Sequence, residues 1–110
     1  MQMNVTKEAT FTRVSVEGRL DAVTSKEFED RVVQVIAQGE KHLLFDFASL
    51  DYISSAGLRA LLTTRKKLGG SGGKIVLSGL KKPVYEVMEI AGFTPLFVIV
   101  ESAEEARNQF

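Results

Sequence analysis

The sequence predicts an α/β fold, a mixed and mostly parallel β-sheet with about four helices in the element order β-β-α-β-α-β-α-β-α. Two observations carry this prediction. Short apolar runs typical of strands alternate along the chain with segments in which apolar residues recur at helical spacing. Residues 42–47, HLLFDF, form a nearly continuous apolar run, as expected of a strand buried on both faces. Such a strand requires helices on both sides of the sheet.

The first third of the chain predicts two strands and a helix. Residues 10–17 alternate between apolar and polar types, which predicts a strand paired with another near residues 3–9. The first strand is expected at an edge of the sheet. Thr24 followed by Glu27 forms a capping-box pattern, and the apolar positions after it recur at helical spacing. The first helix is therefore predicted over residues 25–38.

A second helix is predicted after the buried strand. Residues 48–52, ASLDY, have the composition of a turn. Ser54 or Ser55 is expected to cap the N-terminus of the helix that follows. The glycine-rich residues 69–73 end this helix.

The last third of the chain predicts two strands and two helices. The strands are expected at residues 74–78 and 97–100. A helix between them begins near Pro83 and ends at Gly92, and a short terminal helix begins at Ser102 as part of a second capping box. The core-facing positions expected in the third helix are Val84, Val87, Met88 and Ala91.

Length and composition favour one soluble domain over residues 1–110. The chain has no cysteine and one histidine, so a disulfide scaffold, a zinc site and a serine-hydrolase triad are not expected. No apolar run reaches the roughly 18 residues of a membrane span, and the N-terminus lacks a signal-peptide layout. We therefore expect a cytoplasmic protein with no membrane contact, metal or cofactor.

The charge is balanced overall but unevenly distributed. The chain has 14 basic and 14 acidic residues, which argues against a direct nucleic-acid binder. Residues 1–55 carry six basic and nine acidic residues, whereas no acid lies between Asp51 and Glu86, a segment with seven basic residues. This basic segment begins just after the serine pair, which directs attention to that junction.

Several segments of the chain resemble enzyme motifs, but none of them matches such a motif well. The run GGSGGK at residues 69–74 lacks features of a phosphate loop and leads from a helix into a strand. Ser55 lacks the preceding glycine of a nucleophile elbow. His42 is expected in the buried strand, and Asp46 and Asp51 are interpreted as a strand-end acid and a turn acid. A nucleotide-binding or hydrolytic enzyme is thus disfavoured, although tight ATP binding or turnover would restore that hypothesis.

The serine pair at the start of the second helix is the leading candidate site. One helix N-cap needs only one serine. In an open parallel sheet, the loop after the carboxyl end of a strand is where ligands and partners bind. A phosphoryl group on Ser55 would meet free N–H groups and the positive end of the helix dipole, so the fold should tolerate it. Its charge would oppose docking of an apolar or acidic partner.

Three segments of the chain form a recognisable combination: residues 18–21 (GRLD), residues 44–58 (LFDFASLDYISSAGL), and Gly92 with Phe93 before the last strand. Together they resemble the STAS domain family, specifically its stand-alone bacterial anti-sigma factor antagonists. The similarity covers almost the whole chain with the same order of elements, and the strand-loop-helix run at residues 44–58 is its most specific part.

The resemblance implies a small phosphoswitch protein. Its unphosphorylated form would bind a serine-kinase anti-sigma factor and free the sigma factor. The kinase, using ATP and magnesium, would phosphorylate the antagonist, and a metal-dependent serine phosphatase would restore it. The family's phosphorylated serine lies two residues before the glycine and matches Ser55. Ser54 stands where the family usually has aspartate, which leaves Ser54 as a competing acceptor.

The partner-binding surface is expected to surround the acceptor. Asp21 matches a loop acid that lies near the serine in relatives, and Arg59 and Arg65 are expected on the exposed side of the second helix. The residues assigned to this surface are Asp21, Ser54, Ala56, Gly57, Leu58 and Arg59. An alternative within the same fold is a non-phosphorylated STAS subunit of another assembly, such as a lipid-transport or stressosome-like complex.

Overall fold

The computed structural model describes residues 1–110 and contains six strands and four α-helices. The strands are β1 (Gln2–Lys7), β2 (Thr12–Leu20), β3 (His42–Asp46), β4 (Leu50–Ile53), β5 (Lys74–Ser78) and β6 (Val98–Val100). The helices are α1 (Ser25–Ala37), α2 (Ser55–Gly70), α3 (Lys82–Ile90) and α4 (Ala103–Ala106). None of the helices combines the length and the apolar character needed to cross a membrane.

The sheet is mixed and mostly parallel. Five strands lie in the order β1-β2-β3-β5-β6, with β1 antiparallel to β2 at one edge and the other pairs parallel. The strand β4 lies off this path and pairs in parallel with the C-terminal end of β2, with a register shift between Gly18 and Arg19. The long strand β2 therefore has β3 as its neighbour over its first half and β4 over its last residues. The predicted fold class is confirmed.

The prediction of a turn at residues 48–52 is wrong at its end, because Leu50–Ile53 form the strand β4. Leu50 and Ile53 are buried, whereas Asp51 and Tyr52 are exposed. A strand this short owes its conformation to a distant partner rather than to its own sequence pattern. Its pairing with β2 places the start of α2 beside the end of β2.

The core occupies both faces of the sheet. On one face, α1, α2 and α3 cover a cluster in which the Phe45 ring lies 5.4 Å from that of Phe28 and 6.0 Å from that of Phe47. On the other face, Leu44 and Val76 pack in a smaller cluster with Ala106 of α4. The prediction that β3 is buried on both faces is confirmed, since its three central residues are fully buried.

Three local predictions need correction. Thr24 makes no capping bond to α1; its Oγ1 instead donates to Arg19 O at 2.8 Å and accepts from Asp21 N at 3.0 Å. Ala91 is exposed because α3 ends at Ile90. His42 is exposed because it is the first residue of β3, and its ring stacks on that of Phe110 at 5.4 Å between centroids.

Candidate functional site

The serine pair lies at the junction between β4 and α2. Ser54 has an extended backbone and caps the helix, since its Oγ accepts a hydrogen bond from Gly57 N at 3.4 Å. Ser55 is the first residue of α2 and is exposed to solvent. The structure therefore assigns the N-cap to Ser54 and leaves Ser55 as an exposed residue that does not serve as the cap.

Backbone contacts hold this junction against the end of β2. Ser54 N donates to Leu20 O at 3.0 Å, and Leu20 is paired with Ile53 in the parallel ladder. Gly57 lies so close to the same carbonyl that a Cβ on it would stand 2.4 Å from Leu20 O. No residue larger than glycine fits this approach without a shift of the backbone, so Gly57 fixes the distance between α2 and β2.

Asp21 follows β2 directly and shapes the loop beside the serine pair. Its Oδ1 accepts hydrogen bonds from Val23 N at 3.0 Å and Thr24 N at 3.2 Å, and its Oδ2 accepts from Arg19 Nε at 3.4 Å. Desolvation raises the pKa of Asp21, but these hydrogen bonds together outweigh it and hold the pKa below its ordinary value. The carboxylate is thus ionised at neutral pH and already engaged within its own loop.

We expect Asp21→Asn to lower the melting temperature at neutral pH, with a difference from the parent that shrinks in acid. A carboxylate whose pKa is depressed in the folded state stabilises the protein above its unfolded pKa, about 3.9. That contribution is lost as the pH falls through the lower folded pKa. Thermal unfolding followed from neutral pH to about pH 2 measures the effect.

The matched control for Asp21 is Asp30→Asn, because Asp30 is an exposed acid on α1 that pairs only with Lys26 at 3.3 Å. An exposed pair of this kind contributes little to stability, so this variant should follow the parent curve. If the difference in melting temperature between Asp21→Asn and the parent stayed constant down to about pH 2, it would contradict the stabilising role given to the carboxylate.

Sequence reasoning missed two exposed residues near the paired ends of β2 and β4, where Leu20 lies opposite Ile53. Val23 is 88% exposed in the Asp21 loop, and Tyr52 is 40% exposed next to the serine pair. The Arg19 guanidinium lies 4.1 Å from the centre of the Tyr52 ring. An apolar side chain in a short polar loop was a signal for Val23, but the placement of Tyr52 depends on the β2–β4 register that was not predicted.

The structure separates the remaining residues predicted for the surface into two groups. Arg59 is exposed and Ala56 is half-buried. Gly57 is buried and Leu58 is only 5% exposed, as part of the main core. Leu58 therefore lies beneath the candidate surface rather than bordering it, because its position on α2 faces the sheet. Arg65 is exposed as predicted, but its Nε donates to Leu96 O at 2.7 Å near the other end of the helix.

The arrangement suits an added negative charge. The first turn of α2 carries no acidic residue, so no side chain there compensates the positive end of the helix dipole. The largest surface cavity, about 900 Å³, lies elsewhere between Gly79, Tyr85 and Glu101, and none of the predicted site residues lines it. No group of three His, Asp or Glu side chains is placed to hold a metal ion. The nucleophilic groups at the junction are serine hydroxyls, of which Ser54 is half-buried and accepts the capping bond, whereas Ser55 is exposed.

Comparisons with known proteins agree with this fold. The family model described as the STAS domain matches residues 2–106. BtrV of Bordetella bronchiseptica, named as a candidate anti-sigma factor antagonist, is 37% identical over 95 residues, which are 86% of this chain and 82% of BtrV.

Two solved structures show the same fold. A Thermotoga maritima protein, described as a candidate anti-sigma factor antagonist, superposes with a TM-score of 0.92 at 16% identity, over 97% of this chain and 92% of its own. The phosphorylated form of SpoIIAA from Bacillus superposes with a TM-score of 0.75 at 18% identity, over 98% of each chain. With the family model matching from the first strand to the last helix, the chain belongs to the STAS domain family.

Proposed function

We propose that the protein is an anti-sigma factor antagonist whose partner binding is switched by phosphorylation of Ser55. The unphosphorylated form binds a serine-kinase anti-sigma factor and thereby frees the sigma factor. The observation that carries the proposal is that the two serines have different structural roles. Ser54 caps α2, whereas Ser55 is exposed at the first position of the helix. BtrV is named as a candidate anti-sigma factor antagonist and SpoIIAA is described as one. SpoIIAA also exists in a phosphorylated form, which supports the same role here.

The proposed switch is a reversible phosphoryl transfer. The Ser55 Oγ forms a bond to the γ-phosphorus of ATP while the bond from that phosphorus to the β,γ-bridging oxygen breaks. ADP leaves, and the hydroxyl proton passes to a base of the kinase. A metal-dependent serine phosphatase reverses the change: the oxygen of a water molecule bonds to phosphorus, the Ser55 oxygen leaves and takes up a proton, and inorganic phosphate is released. In this scheme the chain supplies the acceptor and its partners supply the catalysis.

The phosphate changes the surface rather than the core. It adds about −1.5 to −2 charges at neutral pH, next to a helix terminus that tolerates anions. The neighbouring surface includes the exposed Val23 and Tyr52 side chains, and a partner docked against them would have to desolvate the dianion. We therefore propose that phosphorylation weakens partner binding while leaving the fold intact.

Substitution of each serine tests the proposal. The parent, Ser55→Ala and Ser54→Ala are incubated with ATP and with the serine kinases encoded near the gene, and intact mass is measured. We expect one phosphoryl group on the parent and on Ser54→Ala, and none on Ser55→Ala. Ser54→Ala should also lose about 1 kcal/mol of stability, since it removes the helix cap.

A binding measurement completes the test. Ser55→Asp is expected to bind the same kinase at least about tenfold more weakly than the parent, or about 1.4 kcal/mol, whereas Ser55→Ala should bind with parent affinity. A phosphate on Ser54 would overturn the assignment of the acceptor. A parent chain left unmodified by every kinase would instead favour a non-phosphorylated STAS subunit of another assembly.

A further inference from the structure

Arg59 is the exposed cation one helical turn beyond Ser55. The two residues are four positions apart in α2, so their side chains lie on the same face with Cβ atoms about 5–6 Å apart. Both are exposed, whereas Gly57 and Leu58 between them face the core. The ion pairs of the chain are formed by other residues, and Arg59 takes part in none of them.

The polarity of this pair favours an ion pair with phosphoserine. An anion that precedes a cation by four residues is the better orientation on a helix, because each charge then also complements the helix dipole. An arginine guanidinium binds a phosphate through two parallel hydrogen bonds, which a lysine cannot do. Arg59 thus has the right charge, spacing and geometry for a phosphate on Ser55.

Other cations near the junction are already paired: Lys81 binds Asp51 of β4, and Arg19 is held by two contacts. The Arg19 guanidinium lies over the Tyr52 ring at 4.1 Å, and its Nε donates to Asp21 at 3.4 Å. To bind the phosphate, Arg19 would have to give up both contacts. Arg59 has no ion pair to give up.

We infer that Arg59 is the intramolecular partner of the phosphate on Ser55, so that phosphorylation withdraws the Arg59 guanidinium from the partner-binding surface. The inference rests on the proposed function. Phosphorylation then makes two changes to that surface: it adds a dianion and it removes a free cation. A partner that recognises Arg59 through an acidic side chain loses that contact in the same step.

The test uses the full chain with phosphoserine installed at position 55 by genetic code expansion, and it needs no kinase. Phosphorus NMR titration measures the second pKa of the phosphate in the parent and in Arg59→Gln, Arg59→Lys and Lys67→Gln. A nearby guanidinium favours the dianion, so the phosphate pKa should be lower in the parent than in Arg59→Gln by about 0.3 to 0.7 unit, a factor of about two to five in proton affinity. Arg59→Lys should retain part of this lowering.

Lys67→Gln is the matched control, because Lys67 is an exposed cation of the same helix that lies about 18 Å along its axis from Ser55. It should leave the phosphate pKa at the parent value. The Arg59 Nε–H resonance should also move between the unphosphorylated and phosphorylated parent and return as the phosphate is protonated.

Two results would overturn the inference. In one, Arg59→Gln has the same phosphate pKa as the parent. In the other, Arg19→Gln raises that pKa and Arg59→Gln does not, which would assign the phosphate to Arg19. Failure of the proposed function is distinguishable, since it would appear as a lack of kinase-dependent phosphate on Ser55 whatever the phosphate pKa.

Discussion

Replacement of Gly57 by alanine is expected to lower the free energy of unfolding by about 2 kcal/mol. The added Cβ would stand 2.4 Å from Leu20 O and 2.9 Å from Ile53 Cγ1. The carbonyl cannot retreat freely, because it also accepts the hydrogen bond from Ser54 N. Overpacking of this kind costs about 1–3 kcal/mol or more, which exceeds the gain of about 1 kcal/mol that alanine has over glycine in a helix.

Gly69→Ala provides the control in the same helix. Apart from the adjacent residues and the backbone of its own helix, nothing lies within 4 Å of a Cβ built at this position. Only the gain in helix propensity remains, so the variant should be more stable than the parent by about 0.5–1 kcal/mol. Urea unfolding of both variants measures whether each substitution raises or lowers the free energy of unfolding. A change of the same sign at both glycines would contradict the close approach of α2 to β2.

Phe45→Ala is expected to cost about 3–5 kcal/mol, a large fraction of the 5–15 kcal/mol that stabilises a typical domain. The Phe45 side chain is fully buried, and its ring packs against those of Phe28 and Phe47. Removing it leaves a cavity that the neighbouring rings and the sheet can fill only in part. In urea, the unfolding midpoint should fall while the slope of the transition stays unchanged.

The corresponding control is Tyr85→Ala, which removes an aromatic ring that is 38% exposed on α3. Because this ring belongs to neither buried cluster of the core, the loss should be about 1–2 kcal/mol, smaller than at Phe45. Equal losses at Phe45 and Tyr85 would show that the ring cluster beneath α1 is not the centre of the core.

The strands and helices that were predicted correctly are those whose own residues show a clear strand or helix pattern. The strands β2, β3 and β5 and the helices α1 to α3 each have a periodicity or an apolar run long enough to detect locally. The strand β4 does not: it has four residues, and its partner β2 is far away in the chain. Its conformation is a consequence of tertiary pairing, which no local pattern contains.

At the candidate site, too, the local sequence predicted some features and tertiary contacts determined the others. The serine pair could be placed at a strand-to-helix junction from the sequence, but either serine could have been the cap. Contact with Leu20 settles the matter, because Ser54 N is bound to the Leu20 carbonyl while its hydroxyl reaches Gly57 N. The capping box at Thr24 failed for a similar reason, since the nearby Arg19 carbonyl and Asp21 amide occupy its hydroxyl. At both helix starts, backbone groups at the end of β2 or just after it bind the capping residue, and these contacts are not part of the local capping pattern.

The contact between Gly57 and Leu20 O joins main chain to main chain. The exposed side chains around Ser55, among them Val23, Tyr52 and Arg59, take no part in it. Substitutions on the outer surface therefore leave the position of the Ser55 hydroxyl unchanged. If Ser55 is the acceptor, as proposed, the place of modification is separate from the surface that a partner recognises, so that duplicated copies of the protein would acquire new partners without losing the proposed switch.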